Sequence, residues 1–183
     1  MTIQRQYSLP NCTLFLEGLS DATTGNGQSD LRPILSILVN AECHFAGAIQ
    51  SISGGREFFE SLVKAVSRYA QEFLSGIPHP NEDERGLPLV QLQALERNKH
   101  RLVMQNRGDG TALSNGATGN STPTAPIQID LTTVQLFDLV EAIDQFFADS
   151  QTLPDLTQQL TPVSRRYAKT DEPVGKRVVP AAV

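Results

Sequence analysis

Two stretches of the chain carry the same amphipathic pattern, and that likeness restricts the fold more than any other feature. Residues 132–149 read TTVQLFDLVEAIDQFFAD. Leu136, Leu139, Val140, Ile143 and Phe147 recur at helical spacing, with Asp138, Glu141, Asp144 and Gln145 opposite them. Thr132 followed by Gln135 has the form of a capping box, so the start of this helix is marked too. Residues 59–73, FESLVKAVSRYAQEF, repeat the pattern 77 positions earlier: Leu62, Val63, Ala65, Val66 and Tyr69 stand where Leu139, Val140, Ala142, Ile143 and Phe146 stand later. A fixed offset of this kind reads as an internal duplication.

The segments in front of each helix extend the likeness. In residues 5–17, Cys12, Leu14 and Leu16 alternate with Asn11, Thr13 and Glu17, while Phe15 falls on the polar side. Pro10 makes this an edge strand or delays its start. A Gly/Ser/Thr/Asn-rich loop follows from Leu19 to Asp30. Leu35, Ile37, Val39, Ala41, Cys43 and Phe45 then alternate with Ser36, Asn40, Glu42 and His44, and Ile34 and Leu38 are the exceptions. The first helix begins after Gly54-Gly55 and ends at Gly76 and Pro78. Residues 76–88 form an acidic, proline-bearing connector.

In the second half, Val90, Leu92 and Ala94 alternate with glutamines, and His100, Leu102 and Met104 resume the alternation. This is one long bent strand or a short hairpin turning at Arg97-Asn98. The match of Leu102–Met104 to Leu14–Leu16 favours the bent strand. A second Gly/Ser/Thr/Asn-rich loop fills 106–126, and Ile127, Ile129 and Leu131 make a short strand that runs into the capped helix. Residues 150–162 suit one more turn or a short helix between Pro154 and Pro162.

Each half thus reads strand, long loop, strand, helix. One such unit cannot cover its own apolar face, whereas two can. The expected fold is α+β: two β-β-α repeats, 5–75 and 88–150, forming a mainly antiparallel four-stranded sheet with both helices packed on one face. They make a single domain over 1–160, followed by a flexible basic tail over 161–183.

Charge is unevenly spread. Net charge over the chain is −5. Residues 161–183 hold five Lys and Arg against two acidic residues, a net of +3, which leaves −8 for residues 1–160. An acidic body disfavours non-specific nucleic-acid binding. The basic tail carries Arg165, Arg166, Tyr167, Lys169, Lys176 and Arg177, and these are the candidate partner-binding residues. They suit an acidic protein surface or the periphery of an anionic membrane.

Catalytic signatures are missing. His44, His79 and His100 lack ligand spacing, and Cys43 and His44 are strand neighbours that point to opposite faces. Cys12 and Cys43 read as small buried hydrophobes. No phosphate-binding glycine loop or nucleophile motif is present, and the carboxylates of 138–149 read as a solvated face. No catalytic, metal-binding or cofactor-binding residue is therefore expected, and the protein is not expected to be an enzyme. The N-terminal residues lack an apolar signal region and no apolar run is long enough to span a bilayer, so a cytoplasmic location is expected.

The segments YSLPNCTLFLEGL, SILVNAECHF and LFDLVEAIDQFFAD resemble a cyanobacterial family of uncharacterised proteins, a domain of unknown function, over roughly residues 5–180. The resemblance implies a photosynthetic bacterial host and supplies no active-site residues or cofactor. By analogy it implies an accessory or assembly factor serving a photosynthetic complex, with a peripheral thylakoid location. The reading from the residues is a non-catalytic interaction protein that binds a partner through its tail and an exposed sheet face bearing Asn11, Thr13, Asn40, Glu42 and His44. A homodimer would cover that same face. The alternative is a small-ligand-binding regulatory module with a pocket between the repeats, lined by Phe15, Leu38 and His100.

Overall fold

The structure is a computed structural model that describes residues 1–20, 33–77, 88–105 and 125–157. It opens on a hairpin. Strand β1 (Thr2–Ser8) pairs antiparallel with β2 (Cys12–Leu19), and the chain reverses through Leu9, Pro10 and Asn11, closed by the Leu9 N–H donating to Cys12 O at 2.8 Å. The expected single edge strand is therefore two. Pro10, which cannot extend a ladder, sits in the turn between them.

Strand β3 (Ile37–Phe45) pairs with β2, and the short β4 (Ile52–Gly54) closes the first sheet in the order β1-β2-β3-β4. Cys12, Leu14 and Leu16 face Phe45, Cys43 and Ala41 across β2 and β3, and all six are buried. The alternation in β3 breaks where Glu17 pairs with Asn40 but Gly18 pairs with Leu38, which leaves Val39 as the extra residue of a β-bulge. The bulge turns Leu38 inward and leaves Ile37 and Val39 exposed, reversing the faces that the simple alternation assigns them. Gly18 is required there, because a Cβ would run into the Ile37 carbonyl and the Leu35 side chain.

Helix α1 (Arg56–Ser75) follows β4 and ends at Gly76, whose left-handed φ of 67° carries the N–H onto Glu72 O. The second sheet then starts as a hairpin, β5 (Val90–Leu95) with β6 (Lys99–Met104), not as the favoured bent strand. Arg97 and Asn98 both adopt left-handed φ, 62° and 58°, and this tight reversal brings Leu95 opposite Lys99. Strand β7 (Ile127–Thr132) pairs with β6, and α2 (Thr133–Ala148) follows at once with the predicted capping box.

Among the described residues the fold class is α+β with antiparallel sheets and two helices, but the strands make two sheets, of four and three strands, where one four-stranded sheet is expected. The reason lies on the helices. Residues 58–59, 62–63 and 69–70 of α1 are buried as adjacent pairs, so its apolar stripe is wider than one sheet can cover. Helix α1 packs on β3 and β4 of the first sheet and on β5 of the second, and α2 packs on β1 and β2 of the first and on β6 and β7 of the second. One core runs from Leu14 and Leu16 through Phe59, Leu62, Leu139 and Phe146 to Leu102 and Leu131. Phe59 and Phe146 meet edge to face at its centre, with ring centroids 4.9 Å apart.

After α2 the chain folds back along the first sheet. Leu35 N–H donates to Gln151 O at 2.9 Å and Leu153 N–H to Leu35 O at 2.8 Å, a parallel bridge between residues 35 and 152 rather than further helix. The part of the expected 150–162 helix beyond residue 157, the tail 161–183, most of the connector 76–88 and most of both Gly/Ser/Thr/Asn-rich loops lie outside the described residues.

Candidate functional site

Among the described residues, three clusters of polar side chains are the candidates. The first is the outer face of the four-stranded sheet. Thr13 stands opposite His44, Phe15 opposite Glu42 and Glu17 opposite Asn40. Glu42 Oε1 accepts a hydrogen bond from Ser51 Oγ at 3.0 Å and lies 3.1 Å from His44 Nε2, so the histidine is held by a carboxylate on an open surface. The apolar side chains of Leu19, Ile37 and Val39 share this sheet's exposed end, Ile37 and Val39 each 54% exposed. Of the five residues expected to form the face, Thr13, Asn40, Glu42 and His44 come together on it. Asn11 does not: its backbone N–H and Nδ2 both donate to Asp138 Oδ2, at 2.8 and 2.9 Å, and fasten the turn to α2.

The second place is a neutral junction at His100. The ring is 2% exposed, and burial lowers its pKa. The proton order follows from the partners. Thr133 Oγ1 donates its one proton to Asn98 O at 3.0 Å, so it accepts from His100 Nε2–H at 3.1 Å, and Nδ1 accepts from Tyr69 OH at 2.7 Å. Phe73 lies edge-on to the imidazole at 5.2 Å and itself packs against Phe137. This geometry does not activate a nucleophile: the histidine donates to the hydroxyl instead of drawing its proton. It ties α1, β6, the β5–β6 turn and the first residue of α2 together.

The third is a charged junction around Asp149. Asp149 Oδ2 accepts from Tyr7 OH at 3.2 Å and from Thr152 Oγ1 at 3.0 Å, while Oδ1 accepts from the Gln151 N–H at 3.1 Å. Arg5 Nε lies 3.8 Å from the carboxylate, and its Nη2 donates to Pro33 O at 2.6 Å. Burial opposes ionisation of Asp149, but the Gln151 N–H, Thr152, Tyr7 and the Arg5 charge outweigh it and lower the pKa. Burial, with Asp149 alongside, pushes Tyr7 up to about 12. A cavity of about 290 Å³ opens beside this junction between Phe146, Phe147, Leu153 and Leu156. Leu153 is buried with a left-handed φ of 47°, held there by its bond to Leu35.

The residues expected to line a shared pocket are not brought together. Phe15 is on the outer face of the first sheet, Leu38 is buried on its inner side, and His100 is enclosed by Tyr69, Phe73 and Thr133. The expected partner-binding residues Arg165, Arg166, Tyr167, Lys169, Lys176 and Arg177 lie outside the described residues. Arg5, Tyr7 and Asp149 are missed by the sequence reading. Tyr7 and Ile3 are both buried and flank Arg5 at strand spacing, a signal that becomes readable once β1 is recognised. Among the described residues, no three His, Cys, Asp or Glu side chains are grouped to hold a metal ion, and no helix is long and apolar enough to cross a membrane.

Among the described residues, these features define an α+β protein in which two helices are shared by two antiparallel sheets, with an exposed sheet face and polar fastenings between sheets and helices. The chain belongs to the family described as Domain of unknown function (DUF4335), which matches residues 5–183. No curated protein and no solved structure matches it.

Proposed function

We propose that the protein is a non-catalytic interaction factor that binds a protein partner through the outer face of its four-stranded sheet, with the basic tail as a second contact. The observation that carries this reading is the composition of that face. Exposed Ile37 and Val39 share this sheet with half-buried Phe15 and the polar set Thr13, Asn40, Glu42 and His44. Exposed apolar side chains at one end of a face that otherwise carries polar, hydrogen-bonding groups give it the mixed make-up of a protein interface. The tail, net +3, would meet an acidic patch of the partner or an anionic membrane surface. Resting on the resemblance of the quoted segments to a cyanobacterial family, we further propose a photosynthetic bacterial host and an accessory or assembly role at a photosynthetic complex with peripheral thylakoid contact, the protein being otherwise cytoplasmic.

We also propose that the two halves descend from one duplicated unit. Each half is an antiparallel meander followed by a helix, β1-β2-β3 before α1 and β5-β6-β7 before α2, with β4 added in the first. Buried positions 59, 62, 66 and 69 of α1 recur at 136, 139, 143 and 146 of α2, each 77 residues on.

The test is recovery of partners from host extract by the full chain, by a chain lacking residues 161–183, and by an Ile37→Glu/Val39→Glu chain. Recovery should fall at least about tenfold for the double substitution, as expected when the exposed apolar positions of an interface are disrupted, and less for the deletion. Equal recovery by all three, with the helical circular dichroism unchanged, rejects the reading. A second copy of the chain as the only partner recovered would make the face a homodimer interface.

A further inference from the structure

Cys12 and Cys43 are free thiols within the core, 2% and 0% exposed, with their Sγ atoms 3.6 Å apart. Cys12 pairs with Phe45 and Cys43 with Leu14, so the two thiols are diagonal neighbours on the inner face of β2 and β3. We propose that they form a redox site which closes to an intramolecular disulfide on exposure to a hydroperoxide. Their surroundings differ in a way that orders the steps. Cys43 is paired on both sides, with Leu14 of β2 and Ile52 of β4. Cys12 is the first residue of β2 and has a ladder partner only in β3, since the β1 pairing ends at Thr13. On the β1 side Cys12 is held through its carbonyl by the Leu9 N–H of the turn, so opening of that turn exposes Cys12 first.

The Cys12 thiolate attacks one peroxide oxygen. The O–O bond breaks, the sulfur becomes a sulfenic acid, and the departing oxyanion takes a proton to leave as an alcohol or water. The Cys43 thiolate then attacks the Cys12 sulfur. The S–O bond breaks, the S–S bond forms, and the hydroxide leaves as water with the proton given up by Cys43. Two thiols lose two electrons in all, and one hydroperoxide is reduced.

Diagonal partners across a ladder have Cα atoms roughly 7–8 Å apart, wider than the range of about 4.4–6.8 Å that disulfides favour. Closure must therefore draw the β2 start toward β3, and a bond formed under that strain is readily reduced again by thiols. The hydrogen bond with Cys12, and then burial, hold the Cys43 thiol well above its ordinary value, which keeps the closed fold slow to react. The movement has a structural readout. Asn11, next to Cys12, binds Asp138, and the Ala46 N–H donates to Asn11 O while Ala46 O accepts from Gln135 Nε2. Oxidation would thus displace the contacts that hold the first turns of α2.

The full-length chain is treated with hydrogen peroxide, denatured, alkylated, and weighed intact and as unreduced peptides. The expected result is a chain lighter by two hydrogen atoms, taking up no alkyl group, with one linked peptide pair containing Cys12 and Cys43. Dithiothreitol should restore two alkylatable thiols. Retention of both thiols, oxygen addition at either sulfur, or a disulfide between chains each overturns the proposal. Only the native sequence is used, so a misfolded variant cannot obscure the result.

Discussion

The two sheets are fastened to the same helix pair by polar junctions built on opposite principles. The four-stranded sheet is held at Asp149, where an ionised carboxylate takes three hydrogen bonds and lies close to Arg5. The three-stranded sheet is held at His100, where neutral groups pass one hydrogen bond each along Tyr69, His100, Thr133 and Asn98. The Asp149 side chain is 19% exposed, whereas the Tyr69–His100 contact at the heart of the second is buried and only its Thr133–Asn98 end reaches the surface. A charged junction open to water loses part of its strength to screening, whereas a buried neutral one is costly to leave half-made.

Removal of the central residue should separate the two most sharply. The His100→Ala chain leaves a cavity next to Tyr69 and Phe73 and removes the partner of the buried Tyr69 hydroxyl, a loss of about 3–4 kcal/mol. The Asp149→Ala chain loses the charge-assisted bonds from Tyr7, Thr152 and the Gln151 N–H, a loss of about 2 kcal/mol. Urea denaturation of both chains measures the difference. A larger loss for Asp149→Ala would invert the comparison.

Acid should separate them by the pH at which each gives way. Burial lowers the pKa of His100 in the fold below its ordinary 6.5. The unfolded chain then binds the proton more readily, so the contribution of this junction is complete above 6.5 and is lost as pH falls below it toward the folded value. Asp149 is held below its ordinary 3.8, so its contribution stays complete down to that value and is lost only as pH falls through the lower folded value. Asp144, raised by burial and by Glu141, works in the opposite sense and is common to the chains compared. Between pH 7 and 4.5 the native chain should therefore lose more unfolding free energy than a His100→Gln chain does. Parallel pH profiles for the two would remove His100 as the acid-sensitive group.

Much of this contrast was legible in the sequence, and the two junctions were legible to different degrees. His100 alternates with Leu102 and Met104, so its inward face follows from strand period alone, and the helix that supplies Thr133 is marked by its capping box. The charged junction was hidden, because β1 carries a charge between Ile3 and Tyr7 and because Asp149, beyond the helix, has no periodic signal. The bulge at Val39 shifted strand phase without any glycine or proline at that position, and the alternation through it put Ile37 and Val39 on the wrong face. The number of sheets depended on the width of the helix stripes. Adjacent buried pairs at 58–59, 62–63 and 69–70 were visible as apolar residues but were read for period and not for breadth.

The smallest effect lies in the turns that carry the two hairpins. The β1–β2 hairpin reverses through Leu9, Pro10 and Asn11 with no left-handed residue, while the β5–β6 hairpin places Arg97 and Asn98 at φ 62° and 58°. Asparagine adopts that region with little penalty, but an arginine there brings its Cβ against the backbone at a cost of roughly 1–2 kcal/mol. Glycine has no such contact, although it adds entropy to the unfolded chain that works against the gain. The net expectation for Arg97→Gly is a stabilisation of about 0.5–1 kcal/mol, seen as a later urea midpoint with unchanged slope. Because Asn98 O accepts from Thr133, a relaxed turn should also strengthen the neutral junction, so the gain should shrink in a Thr133→Val background. An equal gain in both backgrounds would mean that the turn and the His100 junction are energetically independent.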